Sequence, residues 1–289
     1  MSRFFNREIS LKELSSISEI CSFDNKKMKF SAISDGNVGG ESTICAYVKG
    51  KKPLIVENQL VIASQPIEGY NVIISDNPKK LLNQIIVEIK DIVGFKEDYI
   101  GKTNFNNVVV GRNCVIEDNV FIGAGTRIEH NVVLHSGTYI GEGCIVRSGS
   151  IIGGEGYGFS KEEDGTLVRE NFLGDVIIGN NVEIGYGCAI VRGLINDTII
   201  SDGTKLDNLV HIAHDCNIGR NTTITAGVSL CGHVSIGENS RLAPNSTVKQ
   251  RIHIGKNCTI GLGAVVLKNV PDGDVMIGNP ALSLTRKRR

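Results

Sequence analysis

The chain has 289 residues, room for one large domain or two ordinary ones, and two are expected. Lysine plus arginine and aspartate plus glutamate are equal at 31 each, so no net field draws the protein to nucleic acid or to a membrane surface. The N-terminus lacks a signal-peptide core, no segment approaches the ~20 apolar residues of a membrane span, and eight cysteines include no C-x-x-C pair. A reduced, cytoplasmic protein is expected.

Residues 1–100 do not repeat. Ser10 and Glu13 stand in capping-box spacing before an apolar pattern, which predicts a helix start. "LVIAS" and "YNVIISDNP" predict strands, the second ended by Asn77-Pro78, and "KKLLNQIIVEI" predicts a helix. A small α/β domain is the result.

Residues 101–270 follow a six-residue period. Aliphatic residues occupy every sixth position from Val110 to Ile152, again at Ile178, Ile184 and Ile190, and then from Ile200 to Val266, 23 positions in all. Glycine often follows the aliphatic, as a sharply turning short strand requires. Four residues after the aliphatic comes a small or β-branched residue, as at Thr126, Ser150 and Ser240. Cys114, Cys144, Cys188, Cys216 and Cys258 share that position, which predicts core filling rather than chemistry. The pattern is that of a parallel β-helix and resembles the left-handed type, in which three hexapeptides form one coil of 18 residues. The 23 positions then give between seven and eight coils (23/3). After Val266 the chain leaves the repeat, and 271–289 forms a tail ending in the basic cluster Arg286 to Arg289.

Counting by 18 places Leu134, Ile152, Ile190, Ile212, Leu230, Val248 and Val266 on one face, and every irregularity follows it. The loop "GGEGYGFSKEEDGTLVRENFLGD" comes after Ile152, "VRGLIND" after Ile190, and Ala213-His214-Asp215 after Ile212. Farther along, that corner carries Gly232 and His233, then Lys249, Gln250 and Arg251, then Lys268. A histidine among loops, a small residue beside it and cations beyond suit a reaction site next to a phosphate-bearing co-substrate. His211 lies between inward Val210 and Ile212 and points outward, whereas His214 lies on the corner. A metal ion shared by the two is disfavoured, because tetrahedral binding needs three or four convergent ligands and the spacing supplies no third. A solvated surface pair is the plainer alternative. For His130, His135 and His253 a plain surface role is preferred, and His233 is left open.

"GGEGYGF" and "VEIGYGCAIVRGLINDTIISDGTKLDNLVHIAHDCNIG" closely resemble the corresponding stretch of the UDP-3-O-acylglucosamine N-acyltransferase family, the amide-forming enzymes of lipid A synthesis. The resemblance implies a left-handed β-helix and makes His214 the general base, with Asp207 and Asn208 as substrate-side polar groups and Tyr157 and Phe159 shaping the pocket. It departs in three places. Where the family holds uracil with a Phe and then a Tyr, this sequence has Ile44 and Gly50, with Tyr47 nearby. The C-terminal helical extension associated with acyl carrier protein is absent, and "VPDGDVMIGNPA" resembles the ending of acyl-CoA-dependent hexapeptide transferases instead. A second family histidine aligns with Arg251. These departures turn the expectation toward transfer of a short acyl group, acetyl or 3-hydroxybutyryl, from acyl-CoA to a nucleotide-linked amino-deoxysugar. The carrier-protein-dependent lipid A reaction is the alternative, and a zinc enzyme of the hexapeptide carbonic anhydrase kind is a distant one.

Amide formation from a thioester needs a neutral amine and a donor for the tetrahedral oxyanion. His214 is assigned as base, Asp215 or Asp207 as its orienting carboxylate, and the Gly232 N–H as oxyanion donor. Lys249, Arg251 and Lys268 are assigned to the coenzyme A phosphates. Acyl-CoA is a co-substrate, no tightly bound cofactor or metal is expected, and the family resemblance implies a homotrimer.

Overall fold

The computed structural model describes residues 2–21, 23, 27–34, 42–46, 59–95 and 107–284. The chain divides into two compact units. The first comprises Met1–Glu97 with Tyr157–Leu173 and Leu194–Asn196, and the second comprises the rest. Both insertions that sequence places in the 101–270 domain therefore group, in large part, with the N-terminal unit.

The first unit is built on a mixed five-stranded sheet in the order β1-β2-β3-β4-β5, with β1 Ser2–Ser10, β2 Lys29–Ser34, β3 Thr43–Ala46, β4 Leu60–Ala63 and β5 Asn71–Ile74. β1 runs antiparallel to β2, and the other neighbours are parallel. Ser10 ends a strand, after which the chain makes a 3-10 turn, Leu11–Leu14, and a one-turn helix α1, Ser18–Cys21, rather than one continuous helix. Glu13 Oε1 still accepts from the Ser10 N–H at 2.9 Å, so the capping geometry read from sequence forms on the shorter turn. Helix α2, Pro78–Ile92, starts with proline in its first turn, where a missing N–H costs nothing, and Asn77 Oδ1 accepts from the Lys80 N–H at 3.2 Å. Leu81, Leu82, Ile85, Ile86 and Ile89 form its buried stripe at helical spacing and pack with Phe5, Phe30, Ile44 and Leu60.

The second unit is a left-handed parallel β-helix. Strands mostly two or three residues long stack into three faces. The first begins at Val109–Val110, the second at Val115–Ile116 and the third at Phe121–Ile122. The second face has eight rungs and the third seven, and coils pair in register apart from a bulge after Ile152, where Gly154 pairs with Val191. Inward aliphatics such as Ile128, Leu134, Ile184, Ile212 and Leu242 are almost wholly buried, each stabilising by roughly 1.5–3 kcal/mol relative to exposure.

The inward small residues do more than fill. Thr126 Oγ1 donates to Gly141 O at 2.8 Å, Ser150 Oγ to Gly185 O at 2.7 Å, and Cys188 Sγ to Asp207 O at 3.1 Å. Each ties its coil to the next through a carbonyl at the corner, which explains why Ser, Thr and Cys interchange there. The repeat also continues past the sequence boundary: Val275–Ile277 adds a parallel rung to the first face, and Leu282–Ser283 folds back antiparallel to it. Residues 271–284 therefore end the β-helix, while Arg286 to Arg289 lie outside the described residues.

Candidate functional site

Each coil turns through a residue in the left-handed backbone region, and the sequence supplies Asn or Gly there at most corners, as Cβ sterics require. Within the repeat, four described residues break the pattern: Leu209, Asp215, His233 and Arg251, with φ between 57° and 63°. The last three occupy successive coils of the corner between the second and third faces, where sequence placed the irregularities. Departures from turn preference on three successive coils mark that column as a candidate site.

His214 Nδ1 lies 2.6 Å from Asp215 Oδ2, and the Asp215 side chain is 1% exposed. An ionised carboxylate only accepts, so the imidazole donates from Nδ1 to Asp215 and turns its Nε2 edge toward Gly232, the orientation a base needs. Gly232, one coil farther along, lies against that nitrogen: a Cβ there would sit 2.5 Å from His214 Nε2 and 2.6 Å from Cε1. Only glycine fits. At several other corners the equivalent N–H is capped by a side chain, as Tyr186 N–H is by Asn208 Oδ1 at 2.9 Å and Lys256 N–H by Asp272 Oδ1 at 2.8 Å, while at others among the described residues it is left open. The Gly232 N–H donates to no acceptor among the described residues.

His233 joins this group. Its Nε2 lies 3.9 Å from Asp215 Oδ2, and its ring meets that of His214 edge-on with centroids 5.1 Å apart. The signal was present in sequence, since His233 is Asp215 plus 18, one coil directly on. Three possible metal ligands therefore converge, His214, Asp215 and His233, with ligating atoms within 4.8 Å of one another, where the spacing of His211 and His214 had offered two. Two tetrahedral ligands at ~2.0–2.1 Å from an ion stand about 3.3 Å apart. The 2.6 Å contact between His214 and Asp215 is a hydrogen bond instead.

Asp207 and Asn208 do not reach this group. They sit at the corner between the first and second faces, where Asn208 caps Tyr186 and Asp207 Oδ1 accepts from the Asn208 N–H at 2.8 Å. Asp215, not Asp207, is the carboxylate on His214, because an offset of eight residues crosses to another edge of the prism. Lys249, Arg251 and Lys268 do occupy the corner of His214, all exposed, and the Arg251 N–H donates to Gly232 O at 3.0 Å. Tyr157 and Phe159 belong to the first unit, with rings 5.0 Å apart and the Arg169 guanidinium 4.8 Å over Phe159. Ile44 is fully buried in β3, and Tyr47 and Gly50 lie outside the described residues. His211 is exposed on the second face. Burial raises the Cys216 thiol, beside Asp215, to about 12.

Repeat, coil and corner make this chain a hexapeptide-repeat β-helix protein. Residues 119–154 and 233–268 match the bacterial transferase hexapeptide (six repeats) family. The chain is 37% identical over 132 residues to UDP-3-O-acylglucosamine N-acyltransferase 2 of Sulfurimonas denitrificans, covering 45% of this chain and 42% of that protein. Among solved structures it resembles LpxA from Acinetobacter baumannii, with a TM-score of 0.56, 30% identity, and coverage of 62% of this chain and 67% of that one. It also resembles the UDP-N-acetylglucosamine acyltransferase of Francisella novicida, with a TM-score of 0.57, 28% identity, and coverage of 63% and 64%. The chain spans less than half the length of the curated relatives it matches. No described helix is long and apolar enough to cross a membrane.

Proposed function

We propose that the protein is an amide-forming acyltransferase that moves an acyl group from a thioester to the amine of a nucleotide-linked amino sugar. The observation that carries this reading is the His214–Asp215 pair, with Nε2 facing Gly232 and its uncapped N–H. His214 Nε2 takes a proton from the ammonium or attacking amine, and nitrogen adds to the thioester carbonyl. The oxyanion accepts from the Gly232 N–H, and collapse expels the thiol, protonated by His214. Base catalysis of this kind supplies about 10²- to 10⁴-fold, and one oxyanion donor about 2.7–4 kcal/mol.

The name of the curated relatives favours UDP-3-O-acylglucosamine as acceptor, and with it the acyl-carrier-protein donor that the family resemblance implies. That reading, the alternative in the sequence argument, now leads. A second is kept because of one observation: Lys249, Arg251 and Lys268 stack on the reactive corner, where coenzyme A phosphates would find cations. It predicts short-chain acyl-CoA as donor and a 3- or 4-amino-deoxysugar nucleotide as acceptor. Assaying acyl carrier protein and acyl-CoA donors side by side with both acceptors separates the two, and turnover with neither overturns the proposal. Stoichiometric zinc, with activity abolished by chelation, would move the assignment to the metal-dependent alternative.

A further inference from the structure

The corner that holds His214 carries a second histidine–carboxylate pair, three rungs away. His135 Nδ1 lies 3.0 Å from Glu117 Oε1, and Glu117 Oε2 accepts from the Ser136 N–H at 2.8 Å. Two contacts from neighbouring positions thus fix the carboxylate, and the carboxylate fixes the ring, leaving Nε2 unengaged by that contact. The Nε2 edge lies beside Gly154, where even a Cβ would be 3.4 Å away. Glu117 and His135 remain 43% and 33% exposed, so both are open to a ligand. Arg192, bonded to Asp175 at 2.9 Å, adds its charge to the surroundings of Glu117.

A carboxylate has about four lone-pair sites, and two here are taken. The remaining two suit a pair of hydroxyl donors, and a neighbouring imidazole and guanidinium suit an acceptor-rich ring or phosphate. Leu134, Ile152, Ile190 and Ile212 pair in register, so the His135 rung lies about 14 Å from the His214 rung at ~4.8 Å per rung. A single sugar ring cannot bridge that gap, whereas a sugar joined through a diphosphate to a nucleoside can.

We propose that Glu117 and His135 bind the ribose of a ribonucleoside diphosphate sugar whose amine lies at His214. The assignment rests on the acyltransferase reading above and names the part of its substrate that the lower corner recognises. A simple tie between two coils is the competing role.

Calorimetric titration of UDP and 2′-deoxy-UDP into the full-length protein, His135→Ala and Glu117→Ala tests this without any acyl transfer. Wild type should bind UDP more tightly than the deoxy form. Each substitution should weaken UDP by roughly 10-fold or more, as loss of a hydrogen bond to a charged group does, and should shrink the preference for ribose. Melting temperatures measured in parallel separate lost binding from lost structure. UDP binding and ribose preference unchanged in both variants would overturn this assignment and leave the acyltransferase reading standing. If wild type bound neither nucleotide, the nucleotide-sugar reading would fall, and this one with it.

Discussion

Gly232 is a residue whose importance lies in a missing atom. A Cβ there would occupy the space beside His214 Nε2, so Gly232→Ala should cost about 10²-fold or more in kcat by displacing the imidazole and shifting the N–H. Its melting temperature should change little; equal kcat in the variant would remove Gly232 from the mechanism. His214→Ala should also lose at least ~10²-fold, and His211→Ala far less, because His211 projects from the second face. Equal activity of the two histidine variants would overturn the base assignment. With its thiol raised to about 12, Cys216 stays protonated and buried at pH 8, so brief iodoacetamide treatment of the folded protein should leave it unmodified by mass spectrometry. At this scale the 18-residue count brought His214, Gly232 and the basic residues to one corner. The same count placed His233 on that corner but left its role open, since only its side-chain direction brings it toward Asp215.

Individual elements are short, and their ends decide more than their interiors. α2 was legible because Asn77-Pro78 and a five-residue apolar stripe agree; Asn77→Ala should lower stability by about 1 kcal/mol in denaturant titration. The Ser10–Glu13 signal was read correctly as a cap but not as a 3-10 turn, because Ser10 also ends β1, whose pairing with β2 is non-local. Among the corners, Leu209 takes the left-handed conformation with its side chain 70% exposed. Leu209→Asn should therefore stabilise an isolated chain by a few tenths to about 1 kcal/mol. No gain, or a loss, would indicate that the exposed leucine is used in assembly.

Assembly is the expectation at the scale of the molecule. Asp207 and Asn208, assigned by resemblance to the same substrate as His214, sit at a different corner of the same prism, and a neighbouring copy that set this corner against its own His214 would bring the two together. Tyr186, Leu209 and Leu262 expose apolar surface along that corner, as Val115 and Ile151 do on the second face. A homotrimer would cover such surface. Sedimentation velocity should give three times the chain mass, and a monomer at working concentration would sink the idea.

Sequence alone was enough for the β-helix, its three faces, the corner of irregularities and the inward small residues, because a six-residue period maps onto rungs of fixed spacing and leaves little freedom. The folded chain was needed to settle which carboxylate meets His214, that His233 joins it, that Asn208 caps Tyr186, and that residues 157–173 and 194–196 group with the N-terminal unit. Those outcomes depend on side-chain direction at turns and on contacts between residues far apart in the chain, and no local period encodes either.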